Sequence, residues 1–384
     1  MTTLIYGGQV WTMTGAIYDP GFLAFSEGRI VAVGAYTEEQ AAHWANRPGV
    51  KRVNGSGAML LPGFIDAHCH VGIVEEGTSI EGDDLNETSE PLTPHLRALD
   101  GINLDDPAFD DALQGGVTTV CVLPGSANVV GGQAVLLKTA GPWPSRVLRE
   151  QVGLKCALGE NPKRIYGEQK KSPITRMASA ALLREALERA RFYGQKKQCG
   201  EGECDLRWEA IQPVLERQMP LRVHAHRADD IWTALRIARE QEVDLVIEHC
   251  TEGHRIAELL SDARVPAVVG PLIVNRAKVE MREVSPATAG ILHRAGVAVS
   301  LMTDHPVVPI QYLPLSAGLA VRFGLDEMAA LQAITIQPAR LLGLDERLGS
   351  LTVGKEADLV LWSGHPFDAR SRVRHLWMAG KQLL

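Results

Sequence analysis

A chain of 384 residues with 45% apolar side chains and a net charge of −7 has the make-up of an ordinary globular protein, long enough for one large barrel with a small companion. The acidic balance gives no footing to a nucleic-acid partner or an anionic membrane surface. No apolar run approaches the roughly 20 residues that span a bilayer, MTTLIYGGQVWTM lacks the basic-then-apolar pattern of a secretory leader, and six cysteines in so long a chain make no disulfide scaffold, so a cytoplasmic protein is expected.

The chain opens with short β-rich runs punctuated by glycine: LIYGGQVWTM, GFLAFSEGRIVAVG and GVKRVNGSGAML. A different regime follows. The runs MLLPGFIDAH, GVTTVCVLPG, VGLKCALGE, PLRVHAH, VDLVIEHC, VPAVVG and VAVSLMTDH are nearly continuous in Val, Ile, Leu and Ala, as strands buried on both faces of a parallel sheet are. Between them lie amphipathic helical patterns such as MASAALLREALERARFYG and DDIWTALRIAREQE. Repeated strand–helix units predict an α/β fold. An eighth strand is placed near LLKTAG or RVLREQ, and eight close a (β/α)8 TIM barrel. Cys199 and Cys204, in QCGEGECD, read as reduced thiols in a solvated loop rather than a disulfide or metal pair. At the end, GSLTVGKEADLVLWSG and VRHLWMAGKQLL return to β. Residues 1–58 and 350–384 are therefore expected to form one composite β-sandwich domain, with 59–349 as the barrel.

Metal-type side chains close several of the middle runs. His68 and His70 end the first, Lys155 and then Glu160 the VGLKCALGE run, His224 and His226 the next, His249 the one after, and Asp304 with His305 the last. In a barrel of this kind the C-terminal strand ends share one face, which holds the active site. Side chains at i and i+2 of a strand point the same way, so His68 and His70 face the axis while Cys69 faces the helices. Imidazole and carboxylate suit Zn²⁺ and similar ions. Each residue alone has a plainer account: a hydrogen-bonded pair for H-x-H, a core histidine for His249, a cap for Asp304, a snorkelling surface lysine for Lys155. Jointly those accounts need independent accidents at the same end of several strands, and a shared metal site is expected instead.

The same residues carry a resemblance. PGFIDAHCH at 62–70 is similar to the opening motif of the amidohydrolase superfamily, and VGKEADLVLW at 353–362 to its closing motif. VHAH at 223–226, IEHCTEG at 247–253 and TDHPV at 303–307 resemble its imidazolonepropionase-like and prolidase-like branches, so the likeness spans essentially the whole chain. It implies a hydrolase acting on carbon–nitrogen bonds, peptide bonds included, with metal bound by His68, His70, His224, His249 and Asp304. One or two divalent ions are implied, zinc foremost, with iron, manganese and nickel as alternatives. His226, two residues beyond His224, is placed in contact with substrate as a catalytic candidate. The remaining ligand is Lys155, carboxylated as in prolidase-like members, or Glu160; strand parity admits only one of them, and Lys155 is favoured. The implied mechanism has a metal-bound hydroxide attacking a carbonyl or amidine carbon, with Asp304 as general base and then acid.

The loops supply substrate candidates. His95 lies in the long acidic stretch 72–101, and Arg164, Tyr166 and Arg176 in NPKRIYGEQKKSPITRM, where an arginine can hold a carboxylate bidentately; solvated loops are the plainer reading of both. GSANVVGG at 125–132 reads as a turn. A small-molecule substrate is expected, and homo-oligomerisation stays open. Two rival readings remain: a deaminase of a nitrogen heterocycle, using the same barrel and aspartate, and a non-catalytic scaffold, which predicts gaps in the ligand set.

Overall fold

A computed structural model describes residues 1–200 and 203–384. The barrel is built from β1 (Phe64–Cys69), β2 (Val117–Val122), β3 (Val130–Gln133), β4 (Val135–Lys138), β5 (Leu154–Ala157), β6 (Leu221–Ala225), β7 (Leu245–His249), β8 (Ala267–Val269) and β9 (Val299–Leu301). Strands β5 to β9 pair in chain order and in parallel, and β1 pairs β2 in parallel. Strands β3 and β4 meet at Ala134 as one kinked stave, β4 against β2 and β3 against β5, both antiparallel. The ring closes where the Asp304 N–H donates to the His68 carbonyl at 3.1 Å and the His70 N–H to the His305 carbonyl at 2.9 Å. The missing stave thus lies at the first of its two expected places, but reversed. The link from Val122 to Val130 is too short for a crossover helix, which takes a dozen residues or more, so the chain turns straight back. The expected turn at 125–132 ends inside β3.

Residue alternation sorts the side chains. Leu154, Cys156, Val223 and Ile247 point outward and join Leu183 and Leu187 of the helix Arg176–Gln198 and Ile231 and Leu235 of the helix Ala228–Gln241 in the main core. Ala67, Val246, Val268 and Met302 make a separate small cluster inside the ring. Cys69 joins the outer core, as its position between His68 and His70 predicts.

The chain termini build a β-sandwich. Its strand order is Lys381–Gln382, Val373–Met378, Leu359–Trp362, Met59–Pro62, Thr2–Trp11, Ile17–Ser26 and Arg29–Ala35, with Val50–Asn54 also on Thr2–Trp11. Leu60, Leu359, Leu361 and Trp377 pack inside it, while their neighbours Met59, Leu61, Val360, Trp362 and Leu376 belong to the barrel's core. MLLP and LVLW are apolar throughout because both faces are covered.

The run MLLPGFIDAH is divided at Gly63. The Gly63 N–H bonds the Asp358 carbonyl in the sandwich, and the next N–H, of Phe64, bonds Gly116 beside the barrel. A Cβ at Gly63 would fall 2.2 Å from Thr118 Oγ1, so only glycine allows this crossing. The segment after Gly159, expected as a loop, begins with the helix Glu160–Glu168; Pro162 sits in its first turn, where proline is tolerated, and Glu160 suits the N-terminus. No helix among the described residues is long and apolar enough to cross a membrane. Cys199 and Cys204 are exposed free thiols; Glu201 and Gly202 between them lie outside the described residues.

Candidate metal centre

Two overlapping groups of ligand-type atoms meet at the strand ends. His68, His249 and Asp304 form one and His224, His226 and His249 the other, the ligand atoms of each lying within 4.8 Å of one another. All five residues are buried. All but His68 border a cavity of about 500 Å³ that also takes in His70, Lys155, Asn161, Arg164 and Lys278, a size suited to a small molecule. A wider hollow lined by Arg191, Arg217, Trp232 and Arg236 contains none of the cluster.

On the first side each imidazole is aimed by its Nδ1. That of His68 donates to Glu248 Oε2 at 2.7 Å and that of His70 to the Leu123 carbonyl at 2.7 Å, so each Nε2 faces the cluster. Asp304 Oδ1 lies 3.2 Å from His70 Nε2 and 3.5 Å from His68 Nε2. Lys155 Nζ is 3.2 Å from His68 Nε2. Glu248 in turn pairs with Arg222, whose Nη2 donates to the Ala67 carbonyl at 2.9 Å. Asp66 ties β1 to the segment before Asp304, accepting from the His68 N–H and from the N–H and hydroxyl of Thr303. Burial raises the Asp66 carboxyl to about 7 against the pull of those bonds.

On the second side, His249 Nδ1 donates to the Gly270 carbonyl at 3.0 Å, and His226 Nδ1 lies 2.8 Å from Thr251 Oγ1. His224 has no hydrogen-bond partner on either nitrogen, although both are buried.

Electrostatics favour ligand forms. Burial holds the His68, His224 and His249 rings well below the usual histidine range and His226 at about 3, which keeps them neutral as metal ligands must be. Burial also pushes the Lys155 amine down to about 8. It would raise Asp304, but the His70 contact and nearby positive charge outweigh it and leave the carboxyl below its usual range. The donor set of neutral imidazoles and a carboxylate, with an orphaned buried ring at its centre, fits a divalent ion.

A model of the amidohydrolase family matches residues 148–383. The chain belongs to the amidohydrolase family. An amidohydrolase structure from Thermotoga maritima MSB8 is 42% identical with a TM-score of 0.94, covering 100% of this chain and 99% of that one. Amidohydrolase tasK of Hapsidospora irregularis is 30% identical over 360 residues, 85% of this chain; the chain spans only 36% of that protein's length. An imidazolonepropionase of Aromatoleum aromaticum is 28% identical over 373 residues, 91% of this chain and 86% of that protein.

Within this amidohydrolase the strand-end residues His68, His70, Lys155, His224, His226, His249 and Asp304 come together, and the loop candidates divide. Arg164 borders the cavity. Tyr166 is buried elsewhere, its hydroxyl donating to the Glu90 carbonyl or Asn128 Oδ1, each at 2.6 Å. Arg176 pairs with Asp230 at 2.9 Å, and His95 lines a different hollow with Arg97 and Glu209. Glu160 contributes its backbone, whose N–H donates to Glu280 Oε2 at 2.9 Å. The acidic stretch does reach the cavity, through Asp83, Leu85 and Asn86. Glu248 and Glu280 were not among the sequence candidates. Glu248 was legible in principle: it lies two residues before Cys250 on an apolar strand, where an ionised side chain needs a partner.

Proposed function

We propose that this amidohydrolase is metal-dependent and hydrolyses a carbon–nitrogen bond of a small amide, cyclic amide or peptide-like molecule. The observation that carries the reading is the convergence of His68, His249 and Asp304, with His70 and Lys155 beside them, at one end of the barrel. His68, His70, Lys155, His224, His249 and Asp304 are the proposed ligands, and zinc the first candidate metal. The ion supplies a Lewis acid that acidifies water and polarises the scissile carbonyl. Asp304, held as a carboxylate, takes the proton of the attacking water and returns it to the leaving nitrogen. Glu248 and the Leu123 carbonyl keep His68 and His70 in the tautomer that presents Nε2. The lowered Lys155 amine supplies free base near neutrality; its nitrogen adds to CO₂, releasing a proton, and the cation becomes an anionic carbamate ligand.

Arg164 and Lys278 give the cavity a cationic lining suited to a substrate carboxylate. The relative named imidazolonepropionase adds an imidazolone bearing a propionate to the N-acyl amino acids, dipeptides and cyclic amides worth assaying. The test joins metal analysis to that panel. Unmodified protein should hold divalent metal and hydrolyse at least one member, and the double variant His68→Ala/His70→Ala should lose both properties. Full metal stoichiometry in the double variant overturns the site. Ammonia release from an aminated heterocycle, without amide hydrolysis, replaces the reaction with deamination.

A further inference from the structure

The hollow that contains none of the cluster is the wider one, about 1200 Å³ against about 500 Å³. It lies at the far end of the barrel. Leu245 and Val246, which open β7, border it, whereas His249, which closes β7, belongs to the cluster. Five guanidinium groups line it, those of Arg191, Arg217, Arg236, Arg239 and Arg264, against the two carboxylates of Glu242 and Asp244. The whole chain carries a net charge of −7, so an excess of positive charge in one hollow runs against its average. Of these five arginines only Arg217 is ion-paired among the described residues, its Nε donating to Asp244 Oδ1 at 3.0 Å. Arg191 donates to the Gln241 carbonyl at 2.9 Å, and Arg236 reaches the Thr233 hydroxyl at 3.5 Å. The helix dipole accounts for Arg239, in the last turn of the helix Ala228–Gln241, but not for Arg236 a turn earlier. Arg264 holds a left-handed backbone, φ 54°, where glycine sits more easily, yet presents a cation to the hollow.

Trp232 stands in the same wall with 45% of its surface exposed. Trp232, Arg236 and Arg239 follow one another at helical spacing and share one face of their helix. The indole lies about 10 Å along the axis from Arg239. Leu235, Val243 and Val265 supply an apolar floor. Arginine forks take phosphate oxygens two at a time, and an indole face takes an aromatic ring. The volume exceeds the roughly 300–1000 Å³ of ordinary ligand pockets, which gives room to an extended anion. We propose that the hollow binds a nucleoside triphosphate, its base against Trp232 and its phosphates on Arg236, Arg239 and Arg264. The site is separate from the metal centre, and it stands whether or not the metal-dependent reading holds.

Unmodified protein in buffer with excess magnesium and about 0.15 M salt is titrated calorimetrically with ATP and, alongside, with tripolyphosphate. The expected result is one ATP per chain, with tripolyphosphate at least roughly tenfold weaker because it brings no ring to Trp232. Trp232→Ala should bring ATP down to the level of tripolyphosphate. The double variant Arg236→Ala/Arg239→Ala should bind ATP at least roughly tenfold more weakly; both side chains are exposed, so its Tm and metal content should match the parent's. No saturable heat up to about 1 mM ATP, or unchanged affinity in the arginine variant, overturns the proposal. Equal affinity for ATP and tripolyphosphate overturns the nucleotide and leaves a bare anion site. Loss of ATP binding in His68→Ala/His70→Ala, with Tm unchanged, moves the nucleotide to the cluster and overturns it as well.

Discussion

His68 and His224 stand in one cluster, yet the chain treats their rings in opposite ways. His68 is braced by Glu248, which is braced by Arg222, which reaches the backbone of β1. His224 has burial and nothing else. The difference teaches where the fold has already satisfied its polar groups and where it depends on something bound. A braced ring is oriented before any ligand arrives, whereas an unbraced one carries a desolvation cost of about 1–3 kcal/mol until a partner completes it. The braced side suits residues that must stay in register during chemistry, and the open side suits a bound cation.

The largest test of this contrast falls on the braced side. Asp304→Asn preserves volume and hydrogen bonding but cannot accept a proton. Turnover should fall by roughly 10²–10⁴-fold with metal substantially retained, as measured by kcat and metal content in the same sample. Activity within a few-fold of the parent removes Asp304 from the mechanism. Glu248→Gln comes next. It removes the charge that orients His68 and balances Arg222, and metal affinity on that side should drop about 10–100-fold. Zinc titration reads this directly; unchanged affinity would mean the Arg222–Glu248–His68 chain is scaffolding only.

On the open side the effect concerns stability. Zinc at about 100 times its dissociation constant should stabilise the protein by roughly 2.7 kcal/mol per site, and the rise in Tm should be smaller in His224→Ala. Equal rises in the two proteins would show that His224 is not completed by the ion. The smallest effect expected is at the cavity mouth. Arg164 is about half exposed, so Arg164→Ala should raise KM for a carboxylate-bearing substrate about tenfold with little change in kcat. A kcat loss with constant KM would place Arg164 in the chemistry instead.

The sequence made the braced and open sides unequally legible. His68, His70 and His224 follow from strand parity, since an apolar run with histidines two apart declares its inward face. His249 does not: Val246 and Glu248 point inward, so parity sends His249 out. It joins the cluster because its backbone turns left-handed, with φ at 68°. Asp304 keeps the inward parity of Met302, but it lies beyond the end of its strand and is itself left-handed, with φ at 56°. Such conformations cost a non-glycine residue about 1–2 kcal/mol and leave no mark in composition or spacing. Glu280 was hidden for another reason: it comes from an irregular segment with no period to read. Tyr166 and Arg176 looked like site residues while their segment was taken for a loop, but a helix at Glu160–Glu168 turns Tyr166 inward and Arg176 opens the next helix against Asp230. The reversed stave was missed because a strand's direction depends on the length of its connection more than on its own residues.

The shared sheet of the chain termini has a consequence during synthesis. Met59–Pro62 and the partner that covers its outer edge, Leu359–Trp362, are separated by the whole barrel, so the second is synthesised long after the first. While the nascent chain lengthens, a short, wholly apolar edge waits with its backbone donors and acceptors free, a template for pairing with other chains. A chaperone that masks this edge, or a translation rate that shortens the wait, should therefore raise yield in the cell.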